Sequence, residues 1–257
     1  MKTQTLGFIG GGRITKIFLQ AFKNQSVLFD SIKVFDTNQE VLSALKDGYP
    51  EIEISDSVTE PASQEIVIIA VHPPVVMETL ENIKGSVADN TTMLSLAPKI
   101  TIDKIANSLS IRKVVRMIPN ATSYINKGYN PITFHDAFMI EEKELFMDTF
   151  KALGKTFEVD EAKLEGYAIV SAMLPTYFWF QWKAMEEIAI KTGLTESEAE
   201  KTVKSTLKKS IALLYDSGLK PEEVIDLIPV KPIIEHQTEI KSIYETRLLG
   251  LYDKIKP

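Results

Sequence analysis

Three consecutive glycines, Gly10 to Gly12, lie in the segment TLGFIGGGRITKIFLQAF at residues 5–22 and offer the clearest ligand chemistry in this chain. Apolar residues precede them and an amphipathic pattern follows, which predicts a strand, a tight turn and a helix. Backbone amides in such a turn can approach a pyrophosphate, and the helix N-terminus adds a favourable dipole. Gly10 and Gly12 match the first two glycines of the dinucleotide fingerprint. The third position holds Thr15, whose branch and hydroxyl must pack between helix and sheet.

An acidic residue ends the second predicted strand, IKVFD at residues 32–36. Asp36 follows Gly12 by about 24 residues, close to the ~20 at which a dinucleotide-binding unit carries its acid. A carboxylate there accepts hydrogen bonds from a ribose 2′-hydroxyl and repels a 2′-phosphate, so we expect NAD as the cofactor in preference to NADP. The alternative is a glycine-rich turn that binds nothing, with Asp36 capping a helix that begins near Asn38.

The composition excludes several other kinds of chemistry. The chain has 257 residues, 44% apolar and 25% charged, with a net charge of −6 and no basic block, which argues against a nucleic-acid partner. It has no cysteine, and its 3 histidines lack ligand spacing, so we expect no metal. No basic leader precedes the first strand, and the longest apolar window, residues 167–180, is shorter than the ~20 residues of a membrane span. We therefore expect a cytoplasmic protein with no membrane partner.

The order of apolar and amphipathic segments predicts the domain organisation. Short apolar runs alternate with amphipathic stretches up to about residue 155, which indicates an α/β fold with a parallel sheet and crossover helices. The predicted strands are residues 5–10, 31–36, 51–54, 65–71, 91–96, 113–117 and 129–134, and the clearest helices are 14–23, 38–46, 75–83 and 141–153. Long helical patterns follow. The sequence therefore predicts a dinucleotide-binding domain over residues 1–157 and an all-helical substrate and dimerisation domain over residues 158–257.

The first long helix of the second domain is predicted over residues 163–192. It is apolar nearly all round, with Phe178, Trp179, Phe180 and Trp182 in quick succession. Such a helix must be surrounded on every side. Because roughly 100 residues of helices are too few to enclose it alone, we expect a homodimer formed through this domain.

Four further segments resemble pyrroline-5-carboxylate reductases. They are AVHPP at 70–74, SLAPKIT at 95–101, VVRMIPNAT at 114–122 and VSAMLPTYFWFQWKAMEEIAIKTGL at 170–194. With GFIGGGRI they follow the family's spacing over about residues 7–220, and Arg116, Pro119 and Asn120 form the most specific match. The resemblance implies an N-terminal Rossmann domain, a helical domain that interlocks two subunits, and a cleft between the domains. It also implies that hydride from a nicotinamide reduces a cyclic imine to an amine.

The resemblance extends the predicted cofactor site. In that family the segments that match residues 70–73 and 119–120 border the cofactor's ribose and nicotinamide. The predicted cofactor-contacting residues are therefore Gly10, Gly11, Gly12, Arg13, Ile14, Asp36, Ala70, Val71, His72, Pro73, Pro119 and Asn120. The family usually has lysine where this chain has His72. Histidine suits proton transfer near neutral pH, and the alternative is a spacer whose backbone alone touches the cofactor.

The substrate side departs from the family. The family's Gly-Ser-Gly-Pro-Ala-Tyr stretch reads AMLPTY at residues 172–177 here, so Met173 and Leu174 make the predicted pocket wall bulkier and less polar. The family holds the substrate carboxylate with a Ser-Pro-Gly-Gly-Thr-Thr turn. This chain has IPVKPIIEHQTE at residues 228–239 instead, and only Pro232 matches.

A replacement carboxylate site is predicted from this segment. Pro232 suits the first position of a helix because its φ is fixed. The free amides of Ile233 and Ile234, beside Lys231, would then bind a carboxylate.

Three residues are predicted to act in catalysis: Tyr177, His236 and Thr238. His236 and Thr238 follow the predicted carboxylate site by about one helical turn, and His236 is the candidate proton donor. The alternative for His236 is a surface histidine on an ordinary helix. His135 closes a predicted strand and is interpreted as structural.

The leading hypothesis is an NAD(P)-dependent oxidoreductase that transfers hydride to a C=N carbon next to a carboxylate, with 1-pyrroline-5-carboxylate as the named substrate. Another imine, a 2-oxo acid or a hydroxyacid is the first alternative. A further alternative is a hydroxyacid dehydrogenase of the related two-domain kind, which needs a catalytic lysine on the long helix and an asparagine about one turn later. Lys183 is the nearby candidate for the lysine, but the position one turn later is Glu187. The second alternative is a dimeric dinucleotide-binding protein without catalysis, which the substitutions at Met173 and Leu174 favour.

Overall fold

The computed structural model describes residues 4–257 and divides them into two compact units. The first comprises residues 4–172 together with 251–257, and the second comprises residues 173–250. The division falls inside the apolar segment that the sequence assigns to the helical domain. The predicted domain boundary between residues 157 and 158 stays a prediction, because a division by compactness does not show which residues bind a cofactor.

An eight-stranded sheet organises the first unit, in the order β3-β2-β1-β4-β5-β6-β7-β8. The strands are β1 (Thr5–Ile9), β2 (Ser31–Phe35), β3 (Glu53–Ile54), β4 (Ile66–Ile69), β5 (Thr92–Ser95), β6 (Val114–Met117), β7 (Gly128–Phe134) and β8 (Gly154–Glu158). Neighbouring strands are parallel except β6 and β7, which are antiparallel. The order 3-2-1-4-5-6 is that of the doubly wound dinucleotide-binding sheet. The predicted α/β class with an N-terminal Rossmann-type domain is confirmed.

Two apolar clusters form the core of this unit. Its helices are α1 (Arg13–Asn24), α2 (Gln39–Gly48), α3 (Thr59–Ala62), α4 (Pro73–Ile83), α5 (Ile102–Leu109), α6 (Ile140–Phe150) and α7 (Leu164–Tyr167). One cluster joins strand residues to α1, α2 and α6, and the other joins them to α4 and α5. In β4, Ile66 and Ile68 belong to the first cluster while Val67 and Ile69 belong to the second. A central parallel strand is buried on both faces, which explains its continuous apolar sequence.

The far edge of the sheet differs from the sequence prediction. The sequence predicts a parallel sheet that ends with the strand at residues 129–134, whereas β7 is antiparallel to β6 and β8 adds a further strand. Strand direction depends on which strand is the partner, so periodicity alone does not report it. β8 contains no buried residue and includes exposed Lys155 and Glu158, so its apolar signal is weak.

The predicted continuous helix over residues 163–192 is wrong, because the chain breaks it. A π-helical turn, Ala168–Ala172, follows α7, and α8 (Leu174–Lys191) begins after Met173. Pro175 has no N–H to donate to the carbonyl of Ser171, which an unbroken α-helix would require. That carbonyl instead accepts a hydrogen bond from Asn120 Nδ2 at 2.9 Å.

The second unit contains helices and no strand in its described residues. They are α8, α9 (Glu196–Asp216), α10 (Pro221–Asp226) and most of α11 (Gln237–Ile255). Thr195 and Glu198 form a capping box that starts α9. Among the residues described in these four helices, Ala199 alone is buried. In residues 4–257, no helix combines the length and the apolar character that crossing a membrane requires.

Candidate functional site

The glycine turn connects β1 to α1 at the carboxyl end of the sheet. Gly10 has φ +107°, and a Cβ there would lie 2.6 Å from the carbonyl oxygen of Ala70, so both backbone conformation and space require glycine. Gly12 is the N-cap of α1 and contributes no side-chain cap. The first amides of α1 are therefore open to an acceptor from a ligand, which is the arrangement that binds a pyrophosphate.

Thr15, at the third fingerprint position, is accommodated by a hydrogen bond. Its side chain is fully buried, and Oγ1 donates to the carbonyl oxygen of Gly10 at 2.6 Å. The hydroxyl therefore stabilises the turn from within α1. The sequence predicted close packing at this position but not this hydrogen bond.

Asp36 lies just beyond β2 and contacts the glycine turn directly. Its Oδ2 accepts from the amide of Gly11 at 2.7 Å, and its Oδ1 accepts from the amide of Asn38 at 2.9 Å. Asn38 itself caps α2, because its side chain accepts from the amides of Glu40 and Val41. The carboxylate therefore joins the two loops that border the expected ribose position.

One cavity of about 1010 Å³ lies along the carboxyl ends of the parallel strands. It is lined by Gly11, Gly12, Arg13, Ile14, Asp36, Ala70, Val71, His72, Pro73 and Pro119, which are all the predicted cofactor residues except Gly10 and Asn120. Gly10 is buried beneath the turn. In open α/β sheets ligands bind at this edge, where the strand order reverses between β1 and β4.

Further lining residues were not predicted as contacts. Leu96, Ala97 and Pro98 follow β5, and the rule that ligands meet the carboxyl ends of parallel strands could have identified them. Lys16 and Tyr49 also line the cavity, but they reach it only through the packing of α1 against the end of α2. Burial and the nearby Tyr124 raise the pKa of Tyr49, whose hydroxyl donates to Gln20 Oε1 at 3.0 Å. No local sequence signal marks these two residues.

Two of the predicted cofactor residues have distinct local roles. His72 is exposed and is the N-cap of α4 without a side-chain cap hydrogen bond, and Pro73 follows as the first helical residue. Asn120 is 7% exposed and does not line the cavity. Its Nδ2 donates to Ser171 and its Oδ1 accepts from Thr122, so its side chain braces the loop after Pro119.

The predicted carboxylate site around Pro232 is wrong in its local structure. Pro232 lies in a turn, a short 3-10 helix covers Ile234–His236, and α11 begins at Gln237. The amide of Ile234 donates to the carbonyl of Lys231 at 3.1 Å. This amide is therefore satisfied within the turn and does not form a helix N-terminus open to an anion.

The three predicted catalytic residues all belong to the second unit. His236 has an exposed imidazole with Glu235 at 3.5 Å and Glu239 at 3.7 Å. Thr238 is exposed in the first turn of α11. Tyr177 is half-buried in α8, and burial raises the pKa of its hydroxyl, which stays protonated at neutral pH.

Lys183 and His135 fit structural roles. Lys183 is exposed and paired with Glu186, and this hydrogen bond raises the pKa of its ammonium. His135 Nδ1 accepts from the amide of Ala137 at 3.0 Å, in a turn after β7. Within residues 4–257, no group of three or more histidine, aspartate or glutamate side chains is arranged to hold a metal.

The sheet order, the glycine turn and the cavity define an NAD(P)-dependent oxidoreductase. The family model described as "NADP oxidoreductase coenzyme F420-dependent" matches residues 5–98. The pyrroline-5-carboxylate reductase of Escherichia coli (strain K12) is 25% identical over 226 residues, covering 87% of this chain and 84% of that protein. The chain therefore resembles pyrroline-5-carboxylate reductases over most of its length.

Solved structures share the fold over nearly the whole chain. The 1-pyrroline-5-carboxylate reductase from Streptococcus pyogenes has a TM-score of 0.81 at 18% identity, covering 99% of this chain and 98% of that one. The pyrroline carboxylate reductase from Plasmodium falciparum, solved with NADP bound, has a TM-score of 0.80 at 18% identity and covers 99% of this chain and 96% of that one.

Proposed function

We propose that this protein reduces 1-pyrroline-5-carboxylate to proline with hydride from a nicotinamide dinucleotide. The proposal rests on one observation: the glycine turn, Asp36 and the residues after β4, β5 and β6 all line the same cavity. The names of the relatives supply the substrate. Hydride adds to the imine carbon while a proton reaches the nitrogen, so the protein must orient the two reactants and supply that proton.

The residues of the cavity fit a dinucleotide cofactor. The amides at Gly12 and Arg13 would hold the pyrophosphate, and the required absence of a Cβ at Gly10 keeps the turn tight enough for this approach. The bound cofactor supplies the hydride. The chain itself orients the cofactor through the turn and bounds the cavity with Ala70 to Pro73 and Pro119.

We propose that the cavity prefers NAD to NADP. An ionised carboxylate has about four acceptor positions, and Asp36 uses two of them on the amides of Gly11 and Asn38, leaving others for ribose hydroxyls. The same negative charge would repel a 2′-phosphate. Arg13 and Lys16 line the cavity and are the cations that would favour NADP, so measured affinities must decide between the two.

We propose Tyr177, His236 and Thr238 as the catalytic side chains, with His236 as the proton donor. Histidine and a protonated tyrosine hydroxyl can both donate a proton at neutral pH. His236→Ala should lower kcat at least about tenfold while the Kd for NADH stays unchanged, because general acids contribute roughly 100-fold or more. Glu235→Gln, which alters a neighbour of the same imidazole, is the matched control and should stay near wild type. A fully active His236→Ala variant would remove this residue from the mechanism, and Tyr177→Phe and Thr238→Val would be assayed in the same way.

We propose that the second unit forms a homodimer with a second copy of the chain. The support is the large apolar exposure of its helices, with Trp179 46%, Phe180 67% and Met185 50% exposed. Single exposed apolar residues are ordinary, but so many on neighbouring turns indicate an interface. A two-fold arrangement is the commonest way to cover such a surface.

The decisive experiment measures initial rates of 1-pyrroline-5-carboxylate reduction with NADH and with NADPH, beside calorimetric titration of each cofactor. Turnover with at least one cofactor, faster with NADH, is the expected result. Tight NADH binding without turnover would retain the dinucleotide site and discard proline synthesis, and other cyclic imines and 2-oxo acids would be tested next. Absence of binding by both cofactors would overturn the proposal.

A further inference from the structure

The segment between β5 and α5 forms part of the cavity wall in a strained conformation. Leu96, Ala97 and Pro98 line the cavity, and Lys99 follows them with φ +73°. This is the left-handed region, which a residue with a Cβ adopts only at a cost. Strained residues of this kind persist where the surrounding structure holds them, and they are concentrated at ligand sites.

Three side-chain hydrogen bonds hold this segment from outside the cavity. Lys99 donates its amide to Glu165 Oε1 at 3.1 Å, beside the strained φ angle. Arg116 Nη2 donates to the carbonyl of Ala97 at 3.4 Å, and the amide of Ile102 at the start of α5 donates to Glu161 Oε1 at 2.7 Å. The segment is therefore fixed at its beginning, middle and end by residues from β6 and from the chain around α7.

The side chains that hold the segment also pair with one another. Arg116 Nη2 lies 2.6 Å from Glu165 Oε1, with each side chain 1% exposed, and Nη1 lies 2.8 Å from Glu161 Oε1. Arg116 Nε and Glu165 Oε2 have no hydrogen-bond partner among the described residues. A buried ion pair with unsatisfied atoms is a poor source of stability. Its geometry instead suits the task of holding the backbone at Ala97 and Lys99.

We propose that Glu165 is a positioning residue for the cofactor. It holds Lys99 in the left-handed conformation and so keeps Leu96 to Pro98 in the shape that the dinucleotide contacts. Glu165 does not line the cavity and acts through the backbone alone. The inference rests on the proposed function, because it requires that the cavity binds a dinucleotide.

The test is a rescue experiment on cofactor affinity. Glu165→Leu, which removes the acceptor for the amide of Lys99, should raise the Kd for NADH about tenfold, the order expected when one strained backbone residue is released, while kcat at saturating NADH changes by less than about twofold. Adding Lys99→Gly should restore most of the affinity, because glycine adopts a positive φ without the steric cost. A merely structural role for Glu165 would not be rescued by a change at Lys99.

Ser110 provides the matched control. It also has a positive φ, +59°, at the end of α5, and it does not line the cavity. Ser110→Gly relieves similar strain and should leave the Kd of Glu165→Leu unchanged. Equal NADH affinity in wild type and Glu165→Leu, or rescue by Ser110→Gly as well as by Lys99→Gly, would overturn the inference.

A second variant keeps the test valid if Glu165→Leu does not fold. Lys99→Val leaves the buried pair intact but places a β-branched side chain at the left-handed position, so it should raise the Kd for NADH several-fold. An unchanged Kd would overturn the inference. Failure of the wild-type protein to bind NADH or NADPH would instead overturn the proposed function, so the two failures are distinguishable.

Discussion

The two units differ in how completely they bury their own apolar residues. The first has apolar clusters that include residues on both sides of its strands, with side chains such as Phe8, Phe18 and Leu80 fully buried. In the second, Ala199 is the buried residue among those described in its helices, while Phe180 and Ile228 are each 67% exposed. The first unit completes its own core, and the second leaves many apolar side chains exposed, which form the surface of the proposed dimer.

The segments that match the pyrroline-5-carboxylate reductases and the segment that departs from them differ in the same way. The glycine turn, Asp36 and Pro119 lie around one cavity in the self-sufficient unit. The segment at residues 228–239, where the family's carboxylate turn is missing, is exposed along its whole length. Cofactor binding is proposed for the first unit, whose apolar side chains pack against one another. The proposed catalytic side chains belong to the second unit, whose apolar side chains stay exposed.

The largest predicted effect tests whether a second copy covers the exposed apolar side chains of the second unit. Phe180→Arg should weaken the proposed dimer at least about 100-fold, because a charge then replaces an aromatic side chain at the interface. Light scattering after size-exclusion chromatography should show the mass halved at micromolar concentration. Leu145→Arg is the control, since Leu145 is 60% exposed in the first unit and should leave the mass unchanged. A monomeric wild-type protein would contradict the proposed dimer.

The next largest effect tests whether the packing of the first unit fixes the conformation of the glycine turn. Gly10→Ala should lower the free energy of unfolding by about 2 kcal/mol and weaken NADH binding, because its Cβ meets the Ala70 carbonyl at a positive φ. Urea denaturation and calorimetric titration provide the two measurements. Gly85→Ala is the matched control, because a Cβ there has open space within 4 Å. An unaffected Gly10→Ala variant would show that the turn tolerates rearrangement.

A smaller change is expected in cofactor selectivity. Asp36→Ala should weaken NADH binding more than NADPH binding, shifting the ratio of the two Kd values by about tenfold, because a charged acceptor for the ribose is removed. Asn38→Ala removes the cap of α2 beside the same cavity and should weaken both cofactors alike. An unchanged Kd ratio in Asp36→Ala would withdraw the preference for NAD.

The smallest change probes the brace beneath the glycine turn. Thr15→Val removes the hydroxyl that donates to the Gly10 carbonyl and should cost about 1 kcal/mol of unfolding free energy. Thr15→Ser keeps the hydroxyl and should lose less. The comparison of urea midpoints checks this, and equal loss in both variants would assign the effect to packing and not to the hydrogen bond.

Local signals were enough to predict much of the fold. The alternating apolar runs predicted β1, β2, β4, β5, β6 and β7 to within about two residues at each end, because buried parallel strands need continuous apolar sequence. The break at Ala168–Ala172 was missed although Pro175 is a local signal for it, because proline lacks the N–H that a continuous α-helix requires. The hydrogen bond from Asn120, which lies 51 residues before Ser171, has no local signal. The turn at Pro232 was misjudged because the fixed φ of proline suits turns as well as first helical positions.

The sequence by itself determined the fold class, the glycine turn and the acidic residue after β2, because each depends on a few neighbouring residues and a known backbone requirement. Only the tertiary structure decided which residues share the cavity wall. Lys16 and Tyr49 reach it through helix packing, and Leu96 to Pro98 keep their shape through Arg116 and Glu165. These contacts join residues that are distant in the chain, and the packing of the core around the sheet brings them together.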